Sequence, residues 1–250
     1  MPTFDELVAE AESAPVEGWE FSWLDGRATE ERPSWGYSRM LAQRMATASA
    51  ALDIQTGGGE VLAGVARLPG VMVATESWPP NLAVAARHLR ARGAAVVADD
   101  DQPPLPFRSG VFDLVTSRHP VSTWWAEIAR VLRPGGVYFS QQIGAGSVGE
   151  LSAFFLGPLP PGTERDPEHA RAAAQQAGLD VIDLRQESLR MAFYDIGAVV
   201  YFLRKVIWTV PGFTVSRYRA ELAALHDRIQ ADGAFVAYAK RFLIEARQPG

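Results

Sequence analysis

The chain has 250 residues, a formal net charge of −5 and a hydrophobic fraction of 48%, which is typical of one folded globular domain. It contains no cysteine, so disulfides and cysteine-based zinc sites are excluded, and four scattered histidines disfavour any other metal site. No apolar run approaches the ~20 residues of a membrane span. The acidic N-terminus lacks the basic region and apolar core of a signal peptide, so we expect a cytoplasmic protein without a membrane partner.

The charge pattern disfavours a nucleic-acid partner, because contacts to phosphate groups require positive charge. Arginines are dispersed along the chain. The densest basic group is Arg87, Arg90 and Arg92, which helical spacing places together. We interpret this group as a solvated helix face.

The predicted elements begin with two helices and then alternate between strands and helices. The leading helices cover 4–12 and Trp35 to about Ala48, with Ser34 as the N-cap of the second. Strands are predicted over 51–55, 71–75, 95–98, 112–117, 137–142, 180–187 and 234–245, and helices between them over 61–68, 80–92, 121–132 and 169–178. The alternation predicts an α/β fold with a seven-stranded, mostly parallel sheet and helices on both faces.

A glycine turn follows the first core strand. Asp53 stands near the end of that strand, and Gly57, Gly58 and Gly59 precede the next helical pattern. A strand, a glycine turn and a helix start form a nucleotide-binding crevice, because glycine lets the backbone approach a ligand and the helix start offers N–H donors. The dinucleotide pattern fails, since Leu62 occupies its third glycine position. The acid would repel a pyrophosphate and suits a ligand with a positive amino group.

Further acidic and polar residues follow the later strands. Glu76 ends the second strand, near the ~20-residue spacing of a ribose-binding acid. Asp99 and Asp100 follow the third strand, and Arg118 and His119 follow the fourth. Because the carboxyl ends of parallel strands lie along one edge of the sheet, we expect these residues to converge there.

These motifs resemble the class I S-adenosylmethionine-dependent methyltransferases, in particular the type 11 small-molecule enzymes similar to those of ubiquinone and menaquinone biosynthesis. Asp53, Gly57 and Gly59 fit the family's first motif, acid-x-Gly-x-Gly-x-Gly, in which Gln55 replaces the first glycine. The segments 105–107 and 112–115 match its "LPF…FDLV" run, and 130–136 matches "RVLRPGG". The resemblance implies a Rossmann-like fold with an antiparallel last strand and S-adenosylmethionine as cofactor.

The resemblance also implies roles for the strand-end residues. Glu76 would accept the ribose hydroxyls, Asp99 and Asp100 would face the adenine amino group, and Gln55 would lie at the methionine end of the cofactor. Trp78 either stacks on the adenine or is an ordinary core or surface aromatic. Arg118 binds the cofactor or, alternatively, a substrate carboxylate.

His119 is the candidate catalytic residue. It follows the strand that faces the transferred methyl group, and an unperturbed histidine pKa near ~6.5 suits a general base. The alternative is a histidine that only caps its loop or contacts substrate. The family's Asn/Asp-Pro-Pro-aromatic motif of amino methyltransferases is replaced here by Ser-Arg-His-Pro, which disfavours nitrogen as the target.

We predict a single methyltransferase domain over 1–250, with N-terminal helices in 1–48, a cofactor-binding core in 49–145 and a helical cap insertion in 195–232. The insertion is too long for a hairpin loop of ~2–5 residues, and in the resembling family such insertions cover the substrate. The predicted function is methyl transfer to oxygen or carbon of a small-molecule acceptor by a monomer or homodimer. An RNA base methyltransferase and a non-catalytic S-adenosylmethionine-binding protein remain alternatives.

Overall fold

The computed structural model describes residues 2–16, 20–158, 160 and 162–250. It divides into two compact units. The first, which we call the helical unit, comprises Met1–Arg32, Ala145–Gly162 and Ser188–Lys240. The second, which we call the sheet unit, comprises Pro33–Gly144, Thr163–Glu187 and Arg241–Gly250.

Helices and strands alternate through the core as predicted. The helices are α1 (Phe4–Ser13), α2 (Tyr37–Thr47), α3 (Glu60–Ala63), α4 (Pro79–Arg90), α5 (Trp125–Val131), α6 (Gly149–Leu156), α7 (Pro167–Gln176), α8 (Ile196–Lys205) and α9 (Arg219–Asp232). The strands are β1 (Ala28–Glu30), β2 (Ala50–Ile54), β3 (Val71–Glu76), β4 (Ala95–Ala98), β5 (Phe112–Arg118), β6 (Leu132–Ile143), β7 (Asp180–Phe193) and β8 (Phe235–Arg247).

The strand order is β1-β7-β8-β6-β5-β2-β3-β4. The four pairings from β6 through β5, β2 and β3 to β4 are parallel, and β8 runs antiparallel to β6. The mostly parallel Rossmann-like sheet and its antiparallel last strand are therefore confirmed. The described sheet has eight strands, not the seven predicted, because β1 pairs antiparallel with β7. Three residues are too few to show a strand periodicity, so β1 gave no sequence signal.

Alternation along the strands assigns helices to the two faces of the sheet unit. Leu52, Val115 and Tyr138 belong to one buried cluster, which contains residues of α5 and α7. Their neighbours Ala51 and Leu114 belong to the other buried cluster, with residues of α2, α3 and α4. Successive side chains of a strand point to opposite faces, so the sheet carries helices on both sides, as expected.

The start of α2 differs from the prediction. Its N-cap is Gly36 in the left-handed region (φ +66°), and Ser34 does not cap it. Instead the Ser34 N–H donates to Glu187 Oε2 at 2.9 Å, and its hydroxyl donates to the same carboxylate. Ser34 therefore forms hydrogen bonds with a carboxylate that is distant in the chain and not with the N-terminal backbone of α2.

The helix after the glycine turn is much shorter than the predicted 61–68. It ends at Ala63, and the Arg92 guanidinium donates to the carbonyl oxygens of Ala63 (2.6 Å), Val65 and Ala66. Arg92 therefore satisfies the carbonyl groups that a helix end leaves open. Its interpretation as part of a solvated helix face was wrong.

The loop after β5 is longer than predicted. The predicted helix 121–132 begins only at Trp125, so residues 121–124 form a loop. The strand that follows begins at Leu132 and includes the glycines of the "RVLRPGG" segment.

The segment predicted as a cap, 195–232, lies within the helical unit and supplies much of its core. Nine of the ten residues of α8 are buried, whereas a helix covering a sheet with one face would bury a single stripe. Gly197 allows α8 to approach α1 closely, because a Cβ there would lie 2.9 Å from Leu7 O. The cap role remains a prediction.

Candidate active site

The residues predicted to bind a ligand lie along the carboxyl ends of β2, β3, β4 and β5. From β2 the chain continues to β3 and β4 on one side of the sheet and then crosses to β5 on the other side of β2, which creates a crevice between β2 and β5 where open α/β sheets bind ligands. Asp53 and Thr116 are register partners across that β2–β5 pair. The crevice is therefore centred on the turn after β2 and the loop after β5.

Asp53 is a buried carboxylate, 7% exposed. Thr116 Oγ1 donates to its Oδ1 at 2.6 Å. Burial raises the pKa of Asp53 to about 6, against the opposing effect of the hydrogen bond from Thr116. A buried carboxylate of raised pKa at a crevice is a candidate partner for a cationic ligand group.

Gln55 occupies a left-handed conformation (φ +56°) that favours glycine. Its side chain connects the turn after β2 to the loop after β5. Val121 N–H donates to Gln55 Oε1 at 2.6 Å, and Gln55 Nε2 donates to Ser122 O at 3.0 Å. Where the methyltransferase motif has glycine, this chain thus has a side chain that ties two loops together. The contact joins residues far apart in sequence, so sequence could not reveal it.

Gly57 and Gly59 also have positive φ angles, +64° and +76°. A Cβ on Gly59 would lie 3.0 Å from the Leu89 side chain of α4. The turn therefore needs glycine at Gly59 for both its backbone conformation and its close packing.

Glu76 at the end of β3 is positioned by two backbone hydrogen bonds. Gly57 N–H donates to its Oε2 at 2.8 Å and Trp78 N–H donates to its Oε1 at 2.9 Å. Burial raises its pKa, against those backbone bonds. Each carboxylate oxygen keeps a further acceptor position. Trp78 itself is 46% exposed at the start of α4, so it is not a core aromatic.

The three aspartates after β4 differ in their surroundings. Asp99 is buried, its N–H donates to Glu76 O at 3.2 Å, and its Oδ2 has no hydrogen-bond partner among the described residues. Burial, followed by the charges of Asp101 and Asp100, raises its pKa. Asp100 is exposed and accepts only a local bond from Gln102 N–H. The geometry brings Asp99, and not Asp100, beside Glu76.

His119 has φ +54° and lies directly after β5. Trp35 Nε1 donates to Gln141 Oε1 at 2.9 Å, and Gln141 Nε2 lies 3.0 Å from His119 Nε2. An indole N–H can only donate, so the Gln141 oxygen faces Trp35 and its amide N–H faces His119. Nε2 of His119 therefore accepts a hydrogen bond, and the proton of the neutral ring is on Nδ1.

The pKa of His119 is well below its usual value. Burial is the largest cause, and the charges of Arg118, Arg241 and Arg165 add to it. The expectation of a pKa near ~6.5 was therefore wrong, because sequence showed neither the burial nor arginines 165 and 241. A neutral histidine whose lone pair is already engaged by Gln141 is poorly suited to accept a proton.

A cavity of about 270 Å³ lies beside the end of β5, in the sheet unit. Its walls are the loop 120–123, the end of β6 and the start of α7. The position of α7 beside the loop 120–123 was not predictable from sequence, because the two segments are far apart along the chain. Within the described ranges, no group of three or more potential metal ligands comes together, and no helix has the length and apolar character of a membrane span.

A family model matches the part of the chain that contains the glycine turn and the strand ends. Residues 52–140, which include the candidate cofactor residues from Asp53 to Arg118, match the methyltransferase domain family. This match and the fold together support a class I S-adenosylmethionine-dependent methyltransferase. None of the curated proteins matches the sequence.

Solved structures share the class I methyltransferase fold. A Bacillus halodurans protein assigned as a methyltransferase is similar with a TM-score of 0.60 and 18% identity, over 85% of this chain and 99% of that one. YcgJ of Bacillus subtilis gives a TM-score of 0.62 and 16% identity, over 86% and 98%. Geranyl diphosphate methyltransferase in complex with S-adenosylmethionine gives 0.51 and 14%, over 84% of each chain. These likenesses show the fold alone.

Proposed function

We propose that this protein transfers the methyl group of S-adenosylmethionine to oxygen or carbon of a small-molecule acceptor in the cytoplasm. The observation that carries the proposal is a row of carboxylates at three adjacent strand ends, Asp53, Glu76 and Asp99, all buried. Asp99 Oδ2 is buried without a partner among the described residues. A buried carboxylate oxygen in this state calls for a hydrogen-bond donor.

S-adenosylmethionine fits this set of acceptors, because it presents an ammonium, ribose hydroxyls and an adenine amino group and carries no phosphate. When bound, it supplies an electrophilic methyl group on a sulfonium. Asp53 would hold the ammonium, Glu76 the ribose hydroxyls and Asp99 the adenine amino group. The exposed Trp78 would cover the adenine. A pyrophosphate cofactor would meet the same carboxylates and be repelled.

The chain's own contribution to the reaction is positioning and exclusion of water. His119, with its proton on Nδ1, would contact the acceptor as a hydrogen-bond donor and not as the general base. An acceptor whose nucleophilic atom is already acidic or carbanion-like needs no base. Gln55 would hold the loop after β5 against the glycine turn while the acceptor is bound.

A non-catalytic nucleotide-binding protein is the second candidate, and Gln55 favours it. The side chain occupies space that glycine leaves open in the methyltransferase motif, and its two hydrogen bonds hold it there. If S-adenosylmethionine fails to bind while another nucleotide binds, the non-catalytic nucleotide-binding function is favoured over methyl transfer.

Isothermal calorimetry tests the proposed cofactor. The chain should bind S-adenosylmethionine and S-adenosylhomocysteine but not NADH. Glu76→Ala should weaken that binding by about 1.5–3 kcal/mol, the range for hydrogen bonds to a charged group. Asp180→Ala, at an exposed carboxylate at the start of β7, is the matched control and should bind normally. Unchanged affinity in Glu76→Ala would show that the ribose site is elsewhere.

A further inference from the structure

The cavity of about 270 Å³ adjoins the proposed cofactor site without sharing its residues. Val121 and Ser122 line the cavity, and the same two residues hold the Gln55 side chain through their backbone. Its volume is near the lower end of the ~300–1,000 Å³ typical of small-molecule sites. The place and the size both suit a small acceptor next to the methyl donor.

Positive charge is present in and near this cavity, although the chain has a net charge of −5. Arg165 lines the cavity, and it makes no ion pair within the part of the chain that the structure describes. The charges of Arg118 and Arg241 act on His119 together with that of Arg165. Glu164 is the single carboxylate among the described lining residues. The described lining therefore carries one charge of each sign, and an anion would be drawn to Arg165 and to the side of the cavity next to His119, where the charges of the other two arginines add to the attraction.

His119 is not a lining residue, but it directly precedes Pro120 of the lining and offers a neutral donor there. Gln141 occupies its Nε2, so its Nδ1–H is the group left to donate, and this nitrogen has no hydrogen-bond partner among the described residues. Ser122, Thr123 and Gln142 supply further polar groups in the cavity wall. Donors and positive charges together are the chemistry that recognises carboxylate or phosphate oxygens.

On the basis of the proposed methyltransferase function, we propose that this cavity is the acceptor site and that it binds a small acceptor through a carboxylate or phosphate group. Arg165 pairs with the anion and His119 Nδ1–H donates to it, while Arg118 and Arg241 strengthen the attraction from a greater distance. The nucleophilic atom of the acceptor then lies toward the glycine turn.

Ligand-observed NMR titrations test this proposal with benzoate and phenyl phosphate as probes and benzamide as the neutral control. They are performed on the full chain saturated with S-adenosylhomocysteine and repeated without it. At least one anion should bind the saturated chain, and benzamide should not. Arg165→Gln should weaken that binding at least about tenfold, and Arg165→Lys should weaken it less. Arg171→Gln, at a half-buried arginine of α7 that pairs with Glu168 and does not line the cavity, is the matched control and should bind normally.

The outcomes separate the possibilities. A preference for benzoate or for phenyl phosphate identifies the anionic group. Competition between the anion and S-adenosylhomocysteine would overturn the proposal, because the arginines would then hold the cofactor's own carboxylate. Equal binding of benzamide, or an Arg165→Gln affinity equal to that of the unaltered chain, would also overturn it. A chain that fails to bind S-adenosylhomocysteine would refute the methyltransferase function, while the titrations without it still decide the anion site.

Discussion

At the scale of single residues, we expect Asp53 to make both stability and ligand binding depend on pH. Its pKa rises from 3.8 to about 6 on folding, because burial disfavours the charged form. The folded state therefore holds its proton more tightly than the unfolded state, and the free energy of unfolding falls as pH rises from about 4 to about 6. With ~1.36 kcal/mol per pKa unit, the loss amounts to about 3 kcal/mol at pH 7.

Asp53→Asn tests this coupling. Asparagine keeps an acceptor for Thr116 but cannot ionise, so the variant should unfold at higher denaturant concentration at pH 7 and should not show the fall between pH 4 and 6. Because an ammonium prefers the ionised carboxylate, cofactor affinity of the unaltered chain should rise with pH through about 6, and Asp53→Asn should lose this rise. Denaturant titrations and calorimetry at several pH values measure both effects. A variant less stable than the unaltered chain at pH 7 would contradict the interpretation.

His119 is expected to act through a fixed tautomer. Long-range ¹H–¹⁵N NMR of the imidazole should show the proton on Nδ1 at pH 7, with no titration near pH 6.5, because burial and three arginines lower the pKa. Trp35→Phe removes the indole donor that fixes the Gln141 amide, so the variant should show a mixture of tautomers. A proton on Nε2 in the unaltered chain would contradict the assignment.

Turnover distinguishes the donor role of His119 from a base. His119→Asn keeps an N–H donor and tolerates positive φ, so it should retain kcat within a few-fold, whereas His119→Ala should mainly raise the acceptor KM. A general base would instead lose ~10²–10⁴ in kcat with either substitution.

At the scale of elements, the packing of α8 against α1 depends on Gly197. A Cβ there would lie 2.9 Å from Leu7 O, a backbone atom that cannot move aside as a side chain can. Gly197→Ala should therefore destabilise the protein by about 1–3 kcal/mol, the typical cost of overpacking. Gly149→Ala is the matched control in the same unit, because its Cβ would meet nothing within 4 Å. Thermal unfolding of both variants measures the difference, and equal midpoints would show that the two helices adjust freely.

At the scale of the whole molecule, the proposed cofactor residues and the predicted cap fall in different compact units. Asp53, Glu76 and Asp99 belong to the sheet unit, whereas 195–232 lies in the helical unit, where Leu222, Leu225 and Ile229 of α9 are buried along with most of α8.

Replacing 195–232 with a short Gly/Ser linker should unfold the helical unit, because it removes most of the unit's core. Cofactor binding should persist and turnover should be lost, since every proposed cofactor contact precedes residue 120. Circular dichroism measures the helix content and calorimetry the binding. Loss of cofactor binding together with all secondary structure would show that the sheet unit cannot fold without the helical unit.

Much of the fold, and the strand-end positions of the residues in the proposed cofactor site, were predictable from local sequence. Period-two apolar runs ending in an acid placed Asp53 and Glu76 at strand ends, and the parallel order of strands then brought them to one edge without further information. The glycine turn was visible because positive φ angles select glycine. Local patterns gave a wrong prediction where a side chain forms hydrogen bonds with a residue far away in sequence. Ser34, predicted to cap α2, instead donates hydrogen bonds to Glu187.

What the sequence alone determined is the set of residues fixed by nearest neighbours along the chain: the strands, the turn and the acids that follow them. What only the tertiary structure decided are the contacts between segments far apart in sequence. The Trp35–Gln141–His119 series sets the tautomer of a histidine, and its members are brought together only by the folded sheet. Burial and the surrounding arginines then lower the pKa of that histidine, whose sequence position alone suggested a base. The physical reason is that hydrogen-bond partners and desolvation depend on which segments meet in space, whereas periodicity depends only on the chain itself.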